Sequence, residues 1–97
     1  MNKNKSYLPF IPIRCKYEHN DKVYLTVFNL LNFIRVDEME DFTCELSNSD
    51  MGFRINTDFT FDQVMLLLDE NIGEDQYDVY GGRGLRHMHL HYIYLRN

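Results

Sequence analysis

The stretch from Thr60 to Asn71 carries more agreeing local signals than any other part of this chain, and it limits what the remainder can build. Thr60 followed three positions later by Gln63 is a capping-box pattern, in which the hydroxyl accepts from a free backbone N–H and the amide reaches back to the cap. Phe59 and Val64 stand where a hydrophobic staple would close, and Asp62 falls in the first turn, where the positive end of the helix dipole favours a carboxylate. Phe61, Val64, Met65, Leu68 and Ile72 recur at helical spacing, and Gly73 supplies a left-handed stop. The pattern predicts an amphipathic helix over 60–71, and nothing else in the chain offers a convincing second one. A single apolar stripe has to be buried against another layer, which here must be a sheet.

The flanking sequence supplies the strands. Ile11, Ile13, Cys15 and Tyr17 alternate with Pro12, Arg14 and Lys16, predicting a first strand over 7–17; Pro9 and Pro12 cannot donate ladder hydrogen bonds and predict an edge position. Glu18 to Asp21 reads as a turn, and Lys22 to Phe28 returns with Val23, Leu25 and Val27 on one side and Tyr24, Thr26 and Phe28 on the other. Asn29 to Asn32 predicts a bend, followed by a third strand over 33–37. Phe42, Cys44 and Leu46 alternate with Thr43 and Glu45 in a fourth strand, and Phe53 and Ile55 with Arg54 and Asn56 in a fifth. After the helix, 76–80 and 86–95 predict a last hairpin joined around Gly81-Gly82-Arg83-Gly84. The expected fold is α+β, an antiparallel sheet of about five to seven strands with one helix packed on one face, within a single compact domain over residues 1–97.

Composition sets outer limits. A chain of 97 residues with 44% hydrophobic content suits one core. No apolar run approaches the ~20 residues a membrane helix needs, and the basic start runs into Pro9 and Pro12 rather than a signal-like apolar segment. Cys15 and Cys44 form no metal or redox motif, so reduced thiols and a cytoplasmic setting are expected.

Charge is distributed unevenly. Up to Val36 six Lys or Arg face two acids; from Asp37 to Asp78 one Arg faces thirteen acids; after that come three Arg and no acid. An acidic middle repels nucleic-acid backbones and attracts basic surfaces, although carboxylates also serve simply to keep a small protein soluble. The predicted contact residues are Asp37, Glu38, Glu40, Asp41, Asp69, Glu70, Glu74 and Asp75.

Three further features carry possible chemistry. His87, His89 and His91 would project from one side of a strand at ~7 Å intervals and could share a divalent transition metal, with the remaining ligands drawn from elsewhere; alternatively they line a polar face while Met88, Leu90, Tyr92 and Tyr94 pack inward. Arg83 and Arg86 beside the glycine run could hold an anion, although glycine in a hairpin loop more often serves positive backbone angles. Tyr7, Tyr24, Tyr80, Tyr92 and Tyr94 are the tyrosines expected at the surface, where the ring suits an interface. No serine elbow or cysteine signature supports nucleophilic catalysis, so no catalytic residue is expected.

The expectation is therefore a small acidic interaction protein, an inhibitor or adaptor of the kind encoded by phages and mobile elements. It would bind stoichiometrically to a basic and nucleic-acid-handling protein partner. A homodimer is compatible with the sequence, whereas a membrane and direct nucleic-acid binding are not expected, and no cofactor is implied unless the histidines hold a metal.

Overall fold

The computed structural model describes residues 9–48, 52–82 and 85–91. Along them run β1 (Pro12–His19), β2 (Lys22–Asn29), a 3-10 turn (Leu30–Asn32), β3 (Arg35–Glu38), β4 (Cys44–Ser47), β5 (Arg54–Thr57), α1 (Phe61–Asn71), a second 3-10 turn (Glu74–Gln76), β6 (Tyr77–Tyr80) and β7 (His87–Leu90). The strands form one antiparallel sheet in the order β2-β1-β5-β4-β3-β7-β6. The predicted α+β class is what the chain adopts.

The helix is bounded as its local signals require. Gln63 donates its backbone N–H to Thr60 Oγ1 at 3.1 Å, and Thr60 donates its own to Gln63 Oε1 at 2.9 Å, so two otherwise unsatisfied donors are met reciprocally. At the far end Ile72 and Gly73 both donate to the Leu68 carbonyl, and Gly73 turns the chain at φ +100°. Phe61, Val64 and Leu68 are completely buried and share one core with Ile13, Cys15, Val36, Cys44, Leu46, Ile55 and Met88, while Met65, Leu67 and Ile72 pack at its margin. Opposite partners in the sheet alternate accordingly: Val36 lies between Leu46 and Met88, and Leu46 faces Ile55. Among the described residues no helix is long and apolar enough to cross a membrane.

Two polar side chains, Ser47 and Thr57, are buried with this core, and Thr57 is completely enclosed. Its hydroxyl donates to the Arg14 carbonyl at 2.6 Å and accepts from the Phe59 N–H at 3.3 Å, which ties β1 to the approach of the helix. Cys15 and Cys44 flank it as the partners of Thr57 on either side, so two strand spacings, ~9.6 Å, separate them. A disulfide needs Cα atoms within about 7 Å. Both thiols are free and buried, and burial pushes Cys15 to about 11 and Cys44 to about 12, far from a nucleophilic thiolate at neutral pH.

Three local expectations are corrected. β1 is not an edge strand; it lies between β2 and β5. Pro12 is tolerated because it is the first residue of the strand, and β5 pairs only with Cys15 and Lys16, so the missing N–H interrupts no ladder. Phe42 is not part of β4: it precedes the strand at φ +71° and is 69% exposed. Phe53 likewise precedes β5 and is exposed.

Candidate functional site

The acidic residues do not form one continuous belt. The single N–H of Arg35 Nε is shared between the two Asp37 carboxylate oxygens, at 3.1 and 3.0 Å. Glu38 receives a bidentate guanidinium: Arg86 Nε donates to Oε1 and Nη2 to Oε2, each at 3.0 Å, and the Arg86 backbone N–H adds a third bond. Arg86 Nη1 meanwhile donates to Asp62 Oδ1 at 3.1 Å, and the guanidinium carbon lies 4.5 Å from the centroid of the Phe61 ring. Arg86 thus clamps the end of β3 to the first turn of α1. The guanidinium predicted to hold an anion is engaged by the protein's own carboxylates, and its predicted companion Arg83 lies outside the described residues.

The hydrogen bonds from Arg86 hold the Glu38 carboxyl below the usual range, even though burial opposes the shift. A lowered carboxyl contributes stability that is complete above the ordinary Glu range and is lost as pH falls through the folded value. The thermal midpoint of a Glu38→Gln variant is therefore expected to lie below that of the parent by a constant margin above about pH 5, and the margin is expected to shrink below about pH 4. A margin independent of pH throughout would show that the ion pair contributes nothing.

The remaining carboxylates fall into two groups. Asp69, Glu70, Glu74 and Asp75 gather around the C-terminus of α1, which has no basic residue in its last turn; Asp69 accepts from the Tyr77 hydroxyl at 2.5 Å. Negative charge at that pole opposes the helix dipole, so these residues are not placed there for helix stability. Burial and the Asp69 bond raise the Tyr77 hydroxyl well above its ordinary value. Glu40 and Asp41 occupy the β3–β4 connection near the opposite end of α1, the end that Arg86 joins to Glu38.

That connection has unusual geometry. The Phe42 N–H donates to the Met39 carbonyl and the Met39 N–H to the Thr43 carbonyl, both at 2.9 Å, closing a tight hairpin loop. Asp41 Oδ1 accepts from the Thr43 hydroxyl at 2.6 Å and from its N–H at 3.1 Å, and these bonds hold its carboxyl ionised below the usual range. The last loop position then needs a left-handed residue, ordinarily glycine or asparagine. Here it is Phe42, in a conformation that costs a bulky side chain about 1 kcal/mol or more. Beside it Met39, Glu40, Asp41, Thr43, Asn56 and Leu85 line an open cleft of about 470 Å³, with Leu85 itself 53% exposed. The sequence reading missed Phe42 because its spacing from Cys44 and Leu46 matched the alternation of a strand. The Asp41-Phe42-Thr43 order, an Asp two residues before a Thr, is the signal that could have revealed the turn.

The histidines are partly brought together. The rings of His87 and His89 are 5.4 Å apart, and Tyr80 packs on both at 5.3 and 5.2 Å. His91 instead lies 3.1 Å from Asp78. Among the described residues no group of three His, Cys, Asp or Glu side chains is placed to hold a metal ion. Met88 and Leu90 are buried as expected, whereas Tyr92 and Tyr94, like Tyr7, lie outside the described residues. Gly81, at φ +80°, is required by the fold: a Cβ there would sit 2.9 Å from the Leu85 carbonyl oxygen. Tyr24 and Tyr80 are exposed as predicted, and so is Tyr17, which stacks on Tyr24 beyond the limit of the core.

Compared with protein-family models, with curated proteins and with solved structures, the chain matches none.

Proposed function

We propose that this protein acts by stoichiometric binding, without catalysis, presenting the β3–β4 loop to a protein partner with a basic rim around an apolar pocket. The observation that carries the reading is Phe42, an exposed aromatic held in a strained backbone conformation in a loop whose Glu40, Asp41 and Thr43 line an open cleft. Folding alone gives no reason to keep it there, since glycine would close the same loop at lower cost. A rigid aromatic anchor surrounded by charge is the arrangement that concentrates binding energy in a small area and steers an oppositely charged partner. The acids around the C-terminus of α1 form a second negative group at the other end of that helix. Basic surfaces belong most often to nucleic-acid-handling proteins, which makes an inhibitor or adaptor of such a protein, acting in the cytoplasm, the specific form of the proposal.

Capture from an extract of the source cells, with the full chain immobilised, tests this. A discrete partner should be retained at about 50 mM salt and released at about 500 mM, where charges more than a few ångströms apart are screened. Glu40→Lys should reduce low-salt retention roughly fivefold by reversing the local field. A partner held equally at both salts, and equally by the variant, would sink the electrostatic part of the reading.

A further inference from the structure

The outer edge of β2 is long, regular and apolar, which is unusual for an edge left to solvent. β2 runs unbroken from Lys22 to Asn29, every residue in register with β1 and with no proline or bulge, and no described residue pairs with its far side. Edge strands are ordinarily shortened, twisted away or charged to prevent pairing with another chain. β6, at the opposite edge, has only four residues and carries Asp78. On β2, Val23, Leu25 and Val27 share one face and are 65%, 67% and 57% exposed.

The hairpin fixes which backbone groups are free. Asn20 and Asp21, at φ +53° and +64°, make a two-residue loop that places His19 and Lys22 in a hydrogen-bonded pair. Bonded and non-bonded pairs then alternate, so Lys22, Tyr24, Thr26 and Phe28 exchange hydrogen bonds with β1. Val23, Leu25 and Val27 direct their N–H and C=O groups outward. The unpaired backbone groups therefore belong to the residues with exposed aliphatic side chains.

We propose that β2 pairs with β2 of a second copy of this chain, antiparallel about a two-fold axis through Leu25, joining two sheets into one. A two-fold pairing must match outward residues with outward residues, which leaves few registers. With Leu25 on the axis, Leu25 meets Leu25 of the second copy and Val23 meets Val27 in both directions, so all three aliphatic pairs form. Shifting the centre to Tyr24 sets Val27 against Asp21, and shifting it to Thr26 sets Val23 against Asn29, whose side chain already accepts from the Ile11 and Leu31 N–H groups.

Charge is compatible with the same occupant: Glu18 lies beside Val23 on β1 and Arg14 beside Val27, so the favoured register sets Glu18 of each copy in line with Arg14 of the other, three strand spacings apart across the new four-strand row. Lys16 lies beside Leu25 and would face its counterpart across ~14 Å, three strand spacings. Each Lys16 is already held by its own Asp58 at 2.9 Å, which removes that repulsion.

Disulfide trapping reads the register directly. Residues of a bonded antiparallel pair have Cα atoms about 5.5 Å apart, within the range a disulfide spans, and the native thiols are buried and do not compete. Leu25→Cys is expected to form a covalent dimer on mild oxidation. Val23→Cys and Val27→Cys should each crosslink at least tenfold less when alone and form a heterodimer when mixed. Leu25→Lys, at a position that contributes nothing to the core, should remain folded and sediment as a monomer where the parent sediments as a dimer. A parent that is monomeric at high micromolar concentration would overturn the proposal. So would equal crosslinking at all three positions, which is the result of random collision. A monomer with Val23, Leu25 and Val27 amides protected from hydrogen exchange would overturn it in favour of an edge covered from within the chain.

Discussion

Arg86→Met is expected to lower the free energy of unfolding by about 3 kcal/mol, the range for breaking a partly buried ion pair from one side. The size follows from what the substitution leaves behind. The Glu38 side chain is only 10% exposed and would keep its charge while losing both bonds from the guanidinium, and Phe61 would lose the cation over its ring. Methionine retains most of the apolar stem, so the loss reports the charged head rather than a cavity. Arg86→Lys should cost roughly half as much, because an ammonium restores the charge without the planar fork. Adding Glu38→Met to Arg86→Met should recover about half of the loss by removing the unpaired carboxylate. Chemical denaturation of the four proteins measures all of this, and a loss below about 0.5 kcal/mol for Arg86→Met would mean that the pair behaves like an ordinary surface contact.

Phe42→Gly is expected to move stability and binding in opposite directions. Relief of the left-handed strain at φ +71° is offset in part by the entropy glycine adds to the unfolded chain, leaving a net gain of about 0.5–1 kcal/mol. Little burial is given up, since the ring is 69% exposed. Partner affinity should nevertheless fall at least about 30-fold, the effect of removing a central aromatic anchor worth about 2 kcal/mol. Phe42→Asn separates the two contributions, because asparagine tolerates the backbone but lacks the ring. A residue kept for folding would give the reverse, a less stable variant with intact binding.

What the sequence revealed depended on how local each signal was. Thr60, Gln63 and Gly73 lie within one or two turns of what they control, and the helix formed where they placed it. The class of fold followed, since one apolar stripe requires one sheet. Strand order was not legible: β1 pairs with β5 and β3 with β7 across long stretches of chain, and nothing in a short window distinguishes those partners. Pro12 misled because a proline at the start of a strand resembles a proline on an edge. Arg86 looked free in a glycine-rich loop, while its partners Glu38 and Asp62 lie 48 and 24 positions away. Phe42 was hidden by a period-two coincidence, although it breaks the residue preference of its own turn and thereby marks the candidate site.

Site-specific photocrosslinking in the source cells tests the central claim most directly. A photoreactive phenylalanine analogue at position 42 retains the aromatic ring, and the same analogue at Leu66, exposed on the outer side of α1, is the control. The account predicts a discrete adduct of constant mass from position 42, reduced about fivefold by Glu40→Lys, with none from position 66. No adduct from position 42, or the same set of adducts from both positions, would contradict it.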